Sequence, residues 1–382
     1  MQNRKDEKII YGRRIEKICR YLEKENIAAA VIEDKEGSRT ANLRYLSGMP
    51  MDALLFIIPG KGAGREDKSI LVPWDEILAG KIACADEIIG YTEFDRLFEN
   101  AVSKLLEKEG IPAGSRVELP SALPHHSFVN FSGMEYLCRK TGFESNLAAL
   151  RMVKDEEELA IIREGSRLTN RLLDELEMAV KKGEIHTEID IALFIERRSR
   201  TLGCEGTGFE TIAAGPDRSW GIHAFPLYTA GPFATKGMSL VDFGVNYKGY
   251  TTDITASFVK GPLSEKQEEM ISLVEKAYTA SSEMLAPGVT TMAVADKATD
   301  VFKKGGWVMP HALGHSYGLD VHEAPTLRNG KDPVVLEAGM VVTIEPGLYH
   351  EAEGGVRWEN DFLITETGSE CLTNSKIFHL ID

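Results

Sequence analysis

The run SLVDFGVNYKGYTTDITASFV, residues 239–259, decides how this chain folds around its chemistry. Its two arms read as β-strands, and Asn246-Tyr247-Lys248-Gly249 between them is a turn signal. In a symmetric hairpin the numbers of opposed residues share one sum. A turn centred between Tyr247 and Lys248 therefore sets Asp242 opposite Asp253. Opposed strand residues have Cβ atoms about 4.5–5.5 Å apart. Two carboxylates that close repel each other, so a positive charge or a proton belongs between them.

The same arithmetic applies further along. MVVTIEPGLY (340–349) and NDFLITET (360–367) read as strands, with Glu345 inside the first and Glu359 just ahead of the second. Their midpoint is residue 352, inside the polar run Glu351-Ala352-Glu353-Gly354-Gly355. One such pair is readily explained by acids pointing to solvent from an exposed sheet face. Two pairs rising out of apolar runs, SLVD and VVTIE, argue for a buried acidic site. Carboxylates buried in that number call for divalent cations, since an unpaired buried charge is costly. Four carboxylates and an imidazole suit Mn²⁺, Co²⁺, Zn²⁺ or Fe²⁺ better than thiolate-selecting metals. Two such ions about 3.5–4 Å apart can activate a water and polarise a carbonyl.

The imidazole comes from PHALGHSYGLDVHEAP (310–325), which holds three of the nine histidines. HExxH fails here, because Thr326 stands where the second histidine after His322-Glu323 belongs. His311 and His315 have i,i+4 spacing, but Pro310 and Gly314 speak against a regular helix. Gly314-His315-Ser316-Tyr317-Gly318 does match GxSxG, the nucleophile elbow of serine hydrolases. That elbow needs an apolar strand before it and a helix after it. HALG precedes it instead, and Pro325 soon follows.

Around these motifs the chain is ordinary for a globular protein. It has 382 residues, 43% hydrophobic and 27% charged, which favours two domains. A net charge of −15 is a poor match for nucleic acid phosphates. Cys19, Cys84, Cys138, Cys204 and Cys371 are odd in number, scattered and without a CxxC pair. That argues against a disulfide framework and a thiolate zinc site. The charged N-terminus has no signal-peptide core, and no run reaches the ~18 apolar residues of a membrane span, so the expectation is a cytoplasmic protein.

Residues 7–26 carry a helical apolar pattern, and 28–33, 53–59 and 69–74 read as strands, followed by helices over 93–109 and 126–140. Alternating strands and helices predict a small α/β domain. Gly60-Lys61-Gly62-Ala63-Gly64 is followed by Arg65 where GxGxxG needs glycine, so it reads as a surface turn. From Leu150 one long amphipathic helix is predicted to about residue 180, then helices over 187–202, 264–286 and 291–304 among strand-like runs that include 209–215. The domain boundary falls near residue 148.

The runs VDFGVNYKGYTTDIT, GHSYGLDVHEAP, TIEPGLY and GVRWENDFLITETG resemble the metal-binding motifs of the Xaa-Pro peptidase family. These are the pita-bread metallopeptidases, comprising Xaa-Pro aminopeptidases, prolidases and methionine aminopeptidases. The resemblance extends from about residue 150 to residue 382, and the preceding part is similar in kind to the creatinase-like N-terminal domain of the proline-specific members. It implies an α/β N-terminal domain over 1–147 and an α+β pita-bread catalytic domain, a curved antiparallel sheet flanked by helices, over 148–382.

The resemblance also implies roles. Asp242 would chelate a first metal, Asp253 and Glu359 would bridge two, and His315 and Glu345 would hold the second. Glu345 is also a candidate general base. His223, in GIHAFP, matches a site histidine. His311 and His322 match histidines that contact substrate and stabilise the tetrahedral intermediate, and Arg357 matches the arginine ahead of the last ligand. The sequence departs from the family at Ala256-Ser257, where an arginine is usual, and at Asn360, where an acid often follows the last ligand.

The leading expectation is metal-dependent hydrolysis of peptide bonds N-terminal to proline, as an Xaa-Pro aminopeptidase using two divalent ions, Mn, Co or Zn. An Xaa-Pro dipeptidase (prolidase) is the alternative, differing in substrate length. A pita-bread protein that binds without turnover, and a GxSxG serine hydrolase, stand behind these. The expected partners are a proline-containing peptide and, by resemblance, a second copy in a homodimer.

Overall fold

A computed structural model of the chain describes residues 2–60, 66–132, 137–139, 142–330 and 332–380. The glycine-rich turn predicted after Gly60 falls on residues 61–65, outside that set. The chain divides into two compact units, residues 1–148 and 149–382.

The first unit is built on a six-stranded mixed sheet. Its strands are β1 (Ala29–Asp34), β2 (Ala53–Ile58), β3 (Lys68–Pro73), β4 (Glu87–Ile88), β5 (Arg116–Glu118) and β6 (Leu137–Arg139), in the order β4-β3-β2-β1-β5-β6. β1 runs antiparallel to β2 and parallel to β5. Every residue of β2, ALLFII, is buried, as an uninterrupted apolar run in a strand covered on both faces must be. Each such large side chain contributes about 1.5–3 kcal/mol on burial. Around the sheet lie α1 (Gln2–Lys24), α2 (Ala41–Ser47), α3 (Glu76–Ile82), α4 (Phe98–Lys108) and α5 (His125–Ser132). The helix predicted over 126–140 ends at Ser132, and residues 137–139 pair with β5 as a strand.

The division between units falls inside α6 (Phe143–Met152). The single helix predicted from Leu150 is in fact two. It breaks at residues 153–155, where Val153 bridges Met340 and Asp155 caps α7 (Glu156–Lys181). The cap is reciprocal: Asp155 accepts from the Glu158 amide, and the Glu158 side chain accepts from the Asp155 amide.

The second unit holds two helix pairs on largely antiparallel strands, with β20 (Ile377–Leu380) paired parallel to β12 (Ile254–Lys260). α7 and α8 (Glu188–Thr201) cover a four-stranded sheet of β8 (Ile212–Ala214), β9 (Gly237–Phe243), β12 (Ile254–Lys260) and β20 (Ile377–Leu380). The 209–215 run yields only the three residues of β8. Leu172, Leu176, Ile191, Ile195, Val241, Phe243, Ile254 and Phe258 form the core between helices and sheet. Short strands β7 (Gly206–Thr207), β10 (Val245–Tyr247) and β11 (Tyr250–Thr251) extend the first hairpin. Ala256, where the family usually has arginine, is fully buried in this core.

α9 (Glu265–Ser282) and α10 (Thr291–Lys304) pack on the second hairpin through Val274, Ala298, Phe302, Val342, Ile344 and Val356. That region contains β13 (Gly314–Ser316), β14 (Glu323–Leu327), β15 (Val341–Ile344), β16 (Gly347–His350), β17 (Gly354–Arg357), β18 (Asn360–Ile364) and β19 (Ser369–Cys371). Among the described residues no helix is long and apolar enough to cross a membrane. Cys19, Cys84, Cys204 and Cys371 are free thiols.

Candidate functional site

The second hairpin has the register expected from its sequence. Ile344 pairs with Asn360 on one side, and Gly347 with Arg357 on the other. The one sum that runs through both ladders puts Glu345 and Glu359 opposite each other in the gap between them.

The first hairpin does not. Asp242 pairs with Thr255, not with Asp253, and Tyr247 pairs with Tyr250. The turn is centred between Lys248 and Gly249, which both take positive φ, 50° and 88°. Those angles suit a two-residue turn whose twist matches the strands. The pairing thus shifts by two residues, which keeps a side chain on the same face of the sheet. The ladder is also interrupted at Gly244, where an added Cβ would lie 1.6 Å from the Thr252 carbonyl oxygen. Asp253 therefore sits diagonally from Asp242, outside the paired residues.

The two hairpins and the histidine loop converge. Donor atoms of Asp253, His315 and Glu359 all lie within 4.8 Å of one another, and the three residues are buried. His315 Nε2 is 3.5 Å from Asp253 Oδ2 and 3.6 Å from Glu345 Oε1. Burial, then the charges of Glu359 and Asp242, hold the Asp253 carboxyl well above the usual carboxylate range. Burial and the Glu359 charge do the same to Glu345. Burial and the Asp242 charge push Glu359 up to about 8. Asp242 thus lies within electrostatic reach of all three.

Arg357 ties these groups together. It is 1% exposed. Its Nη2 donates to Asp242 Oδ2 at 2.5 Å, its Nε to Thr255 Oγ1 at 2.8 Å, and its Nη1 to the Tyr349 hydroxyl at 2.8 Å and the Ile222 carbonyl at 3.1 Å. Thr255 passes the chain on, donating to Glu359 Oε2 at 2.7 Å. Sequence reasoning missed Thr255 and Tyr349. Thr255 was signalled by its strand position two residues from Asp253, on the same face.

The imidazoles have assignable tautomers. His315 Nδ1 faces the Ser316 carbonyl at 3.1 Å; a carbonyl only accepts, so Nδ1 carries the proton and Nε2 turns its lone pair to the acids. Burial, reinforced by His322, lowers the His315 pKa to about 4, so the ring is neutral. His311 donates from Nδ1 to the Ala312 carbonyl at 2.7 Å and accepts from the Tyr349 hydroxyl at 3.0 Å. Both its nitrogens are engaged, and burial lowers its pKa to about 4. His322 is exposed, with its ring centroid 4.3 Å from that of His315. His223 is exposed too, and its charge acts on both His311 and His322.

A metal fits this donor set. A neutral histidine that presents Nε2 while its other N–H is anchored on a carbonyl is the usual state of a metal-ligating imidazole. Asp242 Oδ1 is buried with no hydrogen-bond partner, and the neighbouring carboxyls repel one another.

The GxSxG reading fails. Ser316 lies in β13, fully buried and paired with β14, with a register break between His315 and Ser316 and no helix following. Its Oγ accepts from Lys154 at 3.3 Å, not from a histidine base. Asn360 uses the whole amide. It donates to the Tyr278 hydroxyl and the Ser375 carbonyl, and accepts from Thr373 Oγ1 and the Ser375 amide. A carboxylate could not make the two donations.

Residues 160–366 match the profile of metallopeptidase family M24, and residues 14–141 that of the creatinase/prolidase N-terminal domain. The chain is 29% identical over 385 residues to the putative dipeptidase YkvY of Bacillus subtilis, covering 94% of this chain and 97% of the relative. It is 28% identical over 368 residues to the Xaa-Pro dipeptidase of Pyrococcus furiosus, covering 95% and 98%. The solved prolidase of Pyrococcus horikoshii OT3 superposes with a TM-score of 0.80 at 27% identity, covering 95% of this chain and 98% of that one. With both profiles matched and Asp242, Asp253, His315, Glu345 and Glu359 all inside the longer match, the chain belongs to metallopeptidase family M24, its first unit a creatinase/prolidase N-terminal domain and its second a pita-bread domain.

Proposed function

We propose that the protein is a metal-dependent Xaa-Pro dipeptidase. The observation that carries this reading is the buried gathering of Asp253, His315 and Glu359 around one point, with Glu345 beside His315 and Asp242 Oδ1 unpartnered. The sequence put an Xaa-Pro aminopeptidase first. Full-length relatives named as dipeptidases support the shorter substrate.

In this reading Asp242, Asp253 and Glu359 would hold one ion, and Asp253, Glu359, His315 and Glu345 would hold a second. Bound there, Mn, Co or Zn would supply Lewis acidity at the scissile carbonyl and acidify the attacking water. Glu345, whose carboxylate form would be favoured by the bound cations, would take the proton of that water and return it to the departing nitrogen. For a prolyl leaving group that proton is needed, because the nitrogen departs as a secondary amine. His322 and His223, both exposed, donate to the charge developing on the carbonyl oxygen. His311 is committed to Ala312 and Tyr349, so it acts by holding Tyr349 and Arg357 in place. The same reading carries a homodimer in the cytoplasm, which light scattering and cell fractionation test.

The deciding experiment compares Xaa-Pro dipeptides with Xaa-Pro-Yaa tripeptides in Mn²⁺, Co²⁺ or Zn²⁺, beside metal analysis of native protein. The dipeptide is expected to have the higher kcat/KM. A preference for the tripeptide restores the aminopeptidase reading. Metal uptake and peptide binding without cleavage of either substrate would make the protein a binder and defeat the proposal.

A further inference from the structure

His322-Glu323 is not part of a zinc-binding HExxH helix, and the reading above leaves Glu323 without a role. Its carboxylate is nevertheless closely held. The side chain is 6% exposed, and Oε1 accepts from Arg151 Nη2 and from the Asp320 amide, while Oε2 accepts from Lys154 Nζ at 3.1 Å. Lys154 is itself buried and also donates to the Arg151 carbonyl at 2.8 Å and to Ser316 Oγ at 3.3 Å. Arg151 reaches Asp320 Oδ2 at 2.7 Å. Two cations that precede α7 thus grip the loop at Ser316, Asp320 and Glu323. Ser316 follows His315 in sequence, and Glu323 follows His322.

We propose that Glu323, clamped by Arg151 and Lys154, is a positioning residue that sets the separation of the His315 and His322 imidazoles. The inference rests on the metallopeptidase reading, in which the first ring is a ligand and the second faces substrate. A buried ionic cluster is a poor way to gain stability, since apolar groups of similar volume do as well or better. What it supplies is direction: one carboxylate accepting along three donor axes has one place to sit. The rings it spaces are 4.3 Å apart, centroid to centroid. Gly318 accommodates the arrangement, because a Cβ there would lie 2.7–2.9 Å from the Glu323 carboxylate atoms. The backbone of Gly318 does not itself demand glycine, since its φ is not positive.

The test uses Glu323→Gln, which removes the charge, and Gly318→Ala, which displaces the carboxylate and leaves every charge in place. Three quantities are read on the full chain: kcat and KM for an Xaa-Pro dipeptide, Mn²⁺ affinity of metal-stripped protein by calorimetry, and thermal melting. The expected result is a fall in kcat of about 10–100-fold with KM within threefold, and a fall in Mn²⁺ affinity of about tenfold or more. Should Glu323→Gln fail to fold, Gly318→Ala decides alone. Folded variants that match wild type in kcat, KM and Mn²⁺ affinity overturn the inference, whatever their melting temperatures. Wild-type protein that takes up no Mn²⁺ and cleaves nothing overturns the metallopeptidase reading beneath it, an outcome distinct from the first.

Discussion

The hairpin that carries Glu345 and Glu359 keeps one register from Val341 to its tip and sets its acids opposite each other, whereas the hairpin that carries Asp242 and Asp253 also keeps one register but turns one residue later than its sequence suggests. Both deliver two carboxylates to one side of the second unit, but they are restrained differently. In the first hairpin Gly244 lies against the Thr252 carbonyl and a Lys248-Gly249 turn in left-handed conformation closes the end. In the second the acids face each other between two short ladders, and the close approach falls beside the tip, where a Cβ on Gly355 would lie 2.1 Å from the Ser219 carbonyl oxygen. Symmetric pairing locates residues, even across a gap in the ladder, where the turn centre is read correctly. It misplaces them by two residues where the turn centre is read one residue off.

Glu359 joins Arg357 in linking the two hairpins, by way of Thr255, and its removal is the hardest way to break the comparison. Glu359→Gln should lower kcat at least about 10³-fold in saturating Mn²⁺, since in the proposed reading Glu359 would be a ligand shared by both ions. Near-normal turnover by that variant would sever the hairpins functionally.

Next in size is a pH effect on metal-free protein. Burial and the Asp242 charge push the Glu359 carboxyl up from an ordinary 4.5 to about 8. A raised carboxyl pKa means that the folded state binds the proton more tightly. Its contribution is therefore fully present below about pH 4.5 and is lost as pH rises through 8. The loss is on the order of a few kcal/mol. Melting in chelator at pH 5 and pH 8 measures it, and the difference between wild type and Glu359→Gln isolates this group. Mn²⁺ should recover stability at pH 8 far more than at pH 5. A difference of opposite sign would show that the acids do not crowd one another.

Smaller effects sharpen the contrast of restraint. Gly244→Ala should cost several kcal/mol, because the new methyl meets backbone, while Glu351→Ala at the exposed tip should stay within about 0.5 kcal/mol. Chemical denaturation compares the two, and equal costs would remove the distinction. Asn360→Asp should cost about 1–3 kcal/mol by stranding the Tyr278 and Ser375 partners, with kcat changed much less than by Glu359→Gln.

Much of this was legible in the sequence. Apolar strands interrupted by acids announced a buried carboxylate cluster, and the sum rule located Glu345 and Glu359. The turn centre was missed by one residue because two consecutive positive φ values, not the glycine alone, set it. The break before α7 carried a local signal, since Asp155 and Glu158 have capping-box spacing, but apolar periodicity running through it concealed the stop. The grip of Arg151 and Lys154 on Glu323 was not legible, because the partners are some 170 positions apart and lie on no common periodic element. Sequence pattern reports what a residue does to its neighbours along the chain, and these contacts are made only by the finished fold.

The guanidinium of Arg357 and the carboxylate of Glu359 come from residues synthesised long after Asp242 and Asp253. At about 5–20 residues per second, the first two acids leave the ribosome on the order of ten seconds before the other two. During that interval a nascent chain displays only half of the acid cluster. In the proposed reading metallation would thereby be tied to completion of the second hairpin, and a translation product arrested between residues 253 and 345 would lack Glu345, Glu359 and the β20 strand of the first sheet.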